Sequence, residues 1–268
     1  SARPRLSAGA AVCPAGTTLA LLVPFREDFS GRRTPQLFQL LQHLQRVFLP
    51  RLPPGYEAVV LVLEQSPYGP FNKGKLLNVG ARWCHRFLRP PVLVVVQDVD
   101  MLPGPELMPF YCHYRRGDAV HPGWINRKYD YDDYFGSVCV FPLLDYIACG
   151  GFPNEFWGWG LEDDCLYWRL RLRASCCILV PPEDATTAAA LEHLDDPGRW
   201  IDGPGVEHNQ LPKLETEHML ALRDTLLDPP DFRVLCHGAA GSLHHLLIEL
   251  RRQGPAGGEA ASRPETGW

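Results

Sequence analysis

The sequence predicts an α/β protein with a mostly parallel central sheet, flanking helices and long loops at one sheet edge. Three observations carry that prediction. Apolar runs of strand length stand at Thr17–Val23, Glu57–Leu63 and Val92–Val96, and the last is nearly all Val, as in a strand buried on both faces. Between them leucines and aromatics recur at helical spacing, which gives strand, helix, strand, helix, strand within the first 100 residues and implies βαβ units. The chain also carries 24 Gly and 26 Pro, a surplus of turn chemistry expected in shaped, functional loops.

In chain order, the first strand is expected to end at Pro24. Thr34 then reads as an N-cap, Pro35 as the first helical residue, and Leu37, Leu40, Leu41, Leu44 and Phe48 as one apolar stripe ending near Pro50. Leu76, Val79, Trp83 and Phe87 mark the second amphipathic helix. Residues 101–160 are rich in Pro, Gly and aromatics, with few long regular elements. Glu162–Arg173 reads as a helix with acids in its first turn and Arg in its last, as the helix dipole favours. Leu211–Leu227 and Gly241–Gln253 are further helix candidates, the latter placing His244 and His245 on a surface helix, and Gly254–Trp268 reads as a disordered tail.

The chain of 268 residues can bury a core without staples. With 26 Lys and Arg against 31 Asp and Glu, the net charge of −5 argues against a nucleic-acid partner, which requires a basic footprint. Nine Cys without a CxxC pair disfavour zinc-ribbon and thioredoxin readings, and most read as core thiols. No apolar run reaches the 18 residues of a membrane span, and no signal peptide is visible.

Four motifs bear on chemistry. Val92–Gln97 delivers Asp98 and Asp100 to the carboxyl end of a buried strand, the ligand-binding edge of open α/β sheets. In an extended chain both project to one side, and two hard oxygens there suit Mg²⁺ or Mn²⁺ beside a phosphate; a strand-end turn with solvated Asp is the other reading. Gly151–Asp164 interleaves Trp157 and Trp159 with glycines before Glu162, Asp163 and Asp164. Such a loop can close over a ligand, and crowded acids can supply a proton acceptor; a packed aromatic loop before an acidic helix start fits equally. Gly69–Lys75 satisfies G-x-x-x-x-G-K, but Leu76 stands where a P-loop needs Ser or Thr, which disfavours a nucleoside-triphosphatase. His193 and Asp195, two apart, can chelate one metal, although a lone His is more often structural.

Taken together, Val23–Arg26, Phe71–Gly80, Asp98–Asp100, Tyr131–Gly136 and above all Gly151–Asp164 resemble the β-1,4-galactosyltransferase family over roughly residues 17–200. The resemblance implies a GT-A nucleotide-sugar-binding fold, with a stem remnant over 1–16 and one catalytic domain over 17–253. It implies inverting, Mn²⁺-dependent transfer of galactose from UDP-galactose to a sugar hydroxyl, Mg²⁺ being a possible substitute. By the same resemblance Pro24, Phe25, Arg26 and Phe71 hold the uridine diphosphate, and Asp98 and Glu162 bind the donor galactose. Asp100 and His193 ligate the metal, Asp163 is the general base, Asp164 positions the acceptor, and Trp159 closes over donor and acceptor. Tyr134 favours galactose over N-acetylgalactosamine as the donor sugar.

The departures are specific. Lys73, at a donor-binding position, replaces the usual Arg; Asp28 stands where some members are basic; Ser137 replaces a second Gly. His193-Leu194-Asp195, followed by Asp196-Pro197, is nearest the xylose-specific members, with Asp195 replacing a His ligand. The expected function is therefore transfer to the 4-hydroxyl of β-xylose in a proteoglycan linker. Alternatives are a GlcNAc or glucose acceptor, an N-acetylgalactosamine donor, or a catalytically weak carbohydrate-binding relative. Family members work in the Golgi lumen behind a membrane anchor that this sequence does not include, on glycan or glycoprotein acceptors.

Overall fold

A computed structural model describes residues 3–28, 30–67, 69–127, 131–195 and 232–250. The three apolar runs are strands β1 (Thr18–Phe25), β2 (Glu57–Gln65) and β3 (Val92–Gln97). β1 pairs in parallel with both others, and β10 (Leu243–Leu250) adds in parallel to the far edge of β2. β6 (Val138–Pro142) runs antiparallel to β3, followed by the short strands β5 (Asp118–Val120) and β7 (Cys177–Leu179); β9 (Phe232–Ala240) closes the other end. The order across this eight-stranded sheet is β7-β5-β6-β3-β1-β2-β10-β9. A separate two-stranded ladder joins β4 (Met101–Pro103) to β8 (Leu191–His193).

Strand alternation divides the core in two. Ala20, Leu22, Leu61, Leu63, Val94 and Val96 face one side, against α2 (Lys73–Phe87), α4 (Leu143–Cys149) and α5 (Glu162–Leu172). Leu19, Leu21, Val23, Val60, Val62, Leu93 and Val95 face the other, against α1 (Arg33–His43) and α3 (Met108–Tyr111). Every residue of β1 and β3 is buried, as expected of central parallel strands.

Several expectations need correction. β1 continues through Pro24 to Phe25; its ladder to β3 has already ended at Leu22, and pairing with β2 carries on. Thr34 is not the cap of α1: the Glu27 carboxylate accepts from the backbone N–H groups of Arg33 and Thr34 at 3.0 and 2.8 Å. Residues 243–250 form a strand, not a helix, so His244 and His245 lie on β10. Leu243, Leu246, Leu247 and Leu250 fit a helical stripe, yet Leu246 and Ile248 alternate into the core beside an otherwise bare β2 edge. The segment expected as a stem remnant is packed on the domain: Leu6 is buried, and Arg5 bridges to Val180. The helix expected over 211–227 and the tail from 254 lie outside the described residues. All nine cysteines are free thiols, six of them buried.

The Gly69–Lys75 segment is no phosphate cradle. Asn72 caps α2 by accepting from the Lys75 N–H at 2.8 Å, so Gly74 and Lys75 sit inside the first helical turn. Gly74 is small because the 151–154 loop crosses there; a Cβ would meet Phe152 Cβ at 2.9 Å and the Pro153 carbonyl at 3.0 Å. Gly74→Ala is expected to destabilise the fold by about 1–3 kcal/mol, as overpacking does, read as a lower urea midpoint.

Candidate active site

The carboxyl ends of β1, β2 and β3 open onto two adjoining clusters. The first belongs to the face that carries α2 and α5. Lys73, in the first turn of α2, sets its Nζ 3.0 Å from Asp98 Oδ1 and 3.3 Å from Asp163 Oδ2. Glu162, Asp163 and Asp164 fill the first turn of α5, where the helix dipole favours acids. Glu162 Oε2 accepts from the Gly160 N–H at 3.1 Å, and Asp164 Oδ1 accepts from the Tyr131 hydroxyl at 2.8 Å. Gly136 lies so near that a Cβ there would meet Asp163 Oδ2 at 3.0 Å.

Charge is crowded here. Burial pushes the Asp163 carboxyl well above the usual carboxylate range; Lys73 opposes that shift, while Glu162 and Asp98 add to it. Glu162 moves upward from the same leading cause, burial, again opposed by Lys73. Burial by itself would lower Lys73, but Asp163, Asp98 and Glu162 outweigh it and hold the ammonium charged.

The second cluster lies on the α1 side. The β4–β8 ladder sets Met101 opposite His193, which brings His193 Nε2 to 3.8 Å from Asp100 Oδ2. Both the carbonyl and the amide of Asp195 reach His193 Nδ1, at 3.1 and 3.0 Å. The Asp195 N–H donates to Nδ1, and only the other tautomer, with the Nδ1 proton given to the Asp195 carbonyl, would free Nε2 as an electron-pair donor beside the Asp100 carboxylate. Arg33 Nη1 stands between Asp100 Oδ2 at 3.0 Å and Asp195 Oδ2 at 3.2 Å, and Gln36 donates to Asp195 Oδ1 at 2.7 Å. Arg33 thus bridges the two carboxylates, while Asp100 and His193 offer one hard oxygen and one nitrogen donor, ligand types that a divalent cation such as Mn²⁺ takes. Among the described residues no group of three or more His, Cys, Asp or Glu is placed to hold a metal ion.

Asp98 and Asp100 therefore do not share one side as alternation implied. β3 ends at Gln97 and the chain turns, with the Met101 N–H donating to the Asp98 carbonyl at 3.3 Å, so each carboxylate joins its own cluster. At the end of β1, Pro24 and Phe25 are buried, and Arg26 donates to the Gly69 carbonyl while its guanidinium lies 5.5 Å over the Phe71 ring. Tyr134 is buried, its hydroxyl 2.8 Å from Ser137 Oγ. Ser137 has φ +69°, which explains why glycine suits that place. Trp159 is 45% exposed, between Gly158 at φ +90° and Gly160 at φ +110°, and Leu161 at φ +73° leads into α5. Sequence reasoning missed Arg33 and Gln36, and it gave Tyr131 no role; their partners lie 67, 159 and 33 residues away, and no local pattern marks them.

The architecture is a GT-A glycosyltransferase fold, shared with the catalytic domain of Drosophila beta1,4galactosyltransferase 7 solved with xylobiose. That chain superposes with TM-score 0.67 at 25% identity, covering 89% of this chain and 96% of that one. A mutant of the same Drosophila protein, solved with manganese, UDP-Gal and xylobiose, gives TM-score 0.66 at 25% identity and the same coverage. Residues 7–113 match the family model described as the N-terminal region of glycosyl transferase group 7, and residues 123–194 match the N-terminal domain of galactosyltransferase. Rattus norvegicus Beta-1,4-galactosyltransferase 3 is 36% identical over 201 residues, 73% of this chain and 48% of that protein. Homo sapiens Beta-1,4-galactosyltransferase 7 is 33% identical over 187 residues, 67% of this chain and 51% of that protein. The chain belongs to glycosyltransferase family 7, the family of the β-1,4-galactosyltransferases. It spans about half the length of the curated relatives it matches.

Proposed function

We propose that this chain is the catalytic part of an inverting, metal-dependent β-1,4-galactosyltransferase that moves galactose from UDP-galactose to the 4-hydroxyl of β-xylose in a proteoglycan linker. The observation that carries the reading is the pairing of two clusters on one sheet edge: a buried carboxylate at Asp163 beside Lys73 and Asp98, and the Asp100–His193 pair next to it. Support for the substrates comes from the Drosophila relative, whose structure holds manganese, UDP-Gal and xylobiose.

In this mechanism Asp163 takes the proton from the acceptor hydroxyl as that oxygen attacks the anomeric carbon from the face opposite the leaving group. The bond from that carbon to the diphosphate oxygen breaks, UDP departs, and the configuration inverts. Arg26 and Phe71 hold the nucleotide, and Asp98 and Glu162 take donor hydroxyls. Asp164, held by Tyr131, positions the acceptor, and Trp159 swings on its glycines to exclude the water that would hydrolyse the donor. Manganese, held by Asp100 and His193 with Asp195 beside them, would supply positive charge to the departing diphosphate. We place this activity in the Golgi lumen on the family resemblance; among the described residues no helix is long and apolar enough to cross a membrane.

An acceptor screen with UDP-galactose across β-xylosides, glucosides and N-acetylglucosaminides tests the acceptor. Transfer to N-acetylglucosaminides alone would overturn the xylose reading in favour of a second one, motivated by the 36% identity to Beta-1,4-galactosyltransferase 3. UDP binding without transfer or donor hydrolysis would identify a carbohydrate-binding relative, a reading suggested by the cations Lys73 and Arg33 lying on the site's carboxylates.

The pH dependence has a defined sign. Asp163 accepts a proton only when ionised, and burial raises its pKa. Transfer should therefore rise with pH through an acidic limb centred above the ordinary carboxylate range of about 4. The profile of kcat/KM at saturating manganese reads this, and a limb at or below that range would contradict the role.

A further inference from the structure

Arg3 is far from the reaction in sequence, yet it is bound to the 131–137 loop, which on the galactosyltransferase reading lies against the donor sugar. Its Nη2 donates to the Asp132 carbonyl at 2.6 Å and to the Tyr134 carbonyl at 2.7 Å. Its Nη1 donates to His121 Nδ1 at 2.9 Å. The guanidinium plane is clasped by two rings, 4.4 Å from the Trp124 centroid and 5.0 Å from that of Tyr167. Tyr167 belongs to α5, the helix whose first turn carries Asp163.

The contact with His121 continues inward. His121 is fully buried, and burial with the neighbouring Arg3 charge lowers its pKa to about 3, so the ring is neutral. A neutral ring that accepts at Nδ1 donates from Nε2, which lies 2.8 Å from the Gly136 carbonyl. Arg3 thus sets the tautomer that fastens Gly136, and Gly136 is the residue packed on Asp163 and on the Tyr134 ring. Two strands of attachment, one direct to Tyr134 and one through His121 to Gly136, leave the 131–137 loop little freedom.

We propose that Arg3 is a positioning residue for sugar transfer: its guanidinium fork fixes the 131–137 loop, and with it the wall that Tyr134 and Gly136 present to the donor sugar and to Asp163. The proposal rests on the galactosyltransferase reading. Arg is required rather than any cation, because three donors in a plane serve three acceptors while the flat face stacks on Trp124 and Tyr167. The uridine diphosphate and metal residues, Arg26, Phe71, Asp100 and His193, make none of these contacts with Arg3, so nucleotide binding is separable from sugar positioning.

The test compares wild type, Arg3→Ala and Arg3→Lys in full-length chain, measuring UDP affinity with manganese, kcat and KM for UDP-galactose, and the ratio of UDP-galactose to UDP-N-acetylgalactosamine use. Wild type must transfer galactose; if it does not, the underlying reading fails and the role proposed for Arg3 falls with it. Given that activity, Arg3→Ala should keep UDP affinity while kcat/KM falls on the order of 10- to 100-fold, as a misplaced wall about 1 Å away costs. If Tyr134 crowds the acetamido group, as the family resemblance implies, the donor ratio should fall with it, and Arg3→Lys should behave like Arg3→Ala. Unchanged kcat/KM and donor ratio in Arg3→Ala, full rescue by Arg3→Lys, or parallel loss of UDP affinity would each overturn the proposal.

Discussion

Replacing Asp163 by Asn is expected to lower galactose transfer by about 100- to 10,000-fold, the usual contribution of a positioned general base. The side chain keeps its shape, and its carbonyl oxygen can still face Lys73, whose other contact, with Asp98 at 3.0 Å, is untouched. UDP and manganese binding, measured by titration calorimetry, should be unchanged, because their proposed residues lie after β1 (Arg26), before α2 (Phe71), just before β4 (Asp100) and on β8 (His193). The loss should therefore appear in kcat rather than in nucleotide affinity. Retained transfer would refute the base assignment and move attention to Glu162, whose carboxyl is also raised by burial.

Asp100→Ala should act on the other cluster. Removal of a direct metal ligand is expected to weaken manganese affinity by more than the roughly 10- to 100-fold that loss of an outer partner costs. Transfer should vanish at ordinary manganese concentrations, as it should when a chelator strips the metal from wild type. The same titration on Asp195→Ala separates two roles for that carboxylate. In the structure its Oδ1 accepts from Gln36 and its Oδ2 is ion-paired with Arg33, so it has a holding role whether or not it also reaches a metal. Undiminished manganese affinity in Asp195→Ala would confine Asp195 to holding Arg33 and the Asp100 side of the site in place.

The central strands were legible because parallel strands buried on both faces leave continuous apolar runs, as at Leu19–Val23 and Val92–Val96. The C-terminal hairpin was not, because two periodicities coexist in Leu243–Leu250 and only the partner decides between them. A local signal did exist: Gly241-Ser242, with Gly241 at φ +62°, is a two-residue turn between two strand-length runs. In the site, the acids at the head of α5 and at the end of β3 stood out in the sequence. Their division into two clusters did not, since it depends on the turn after Gln97 and on β8, more than ninety residues downstream. Lys73 with Asp163 and Arg3 with His121 are separated by 90 and 118 residues, a reach at which spacing carries no information.

The position of β10 between β2 and β9 has a consequence for synthesis on the ribosome. Every residue assigned to the reaction precedes residue 196, whereas the strand that covers β2 is made last among the described elements. At translation rates of roughly 5–20 residues per second, the β2 edge waits about ten to forty seconds for its neighbour. A nascent chain holding a complete set of site residues therefore still presents one unpaired, apolar strand edge, the feature that most readily recruits other chains. Synthesis of β10, rather than completion of the site, ends that exposure.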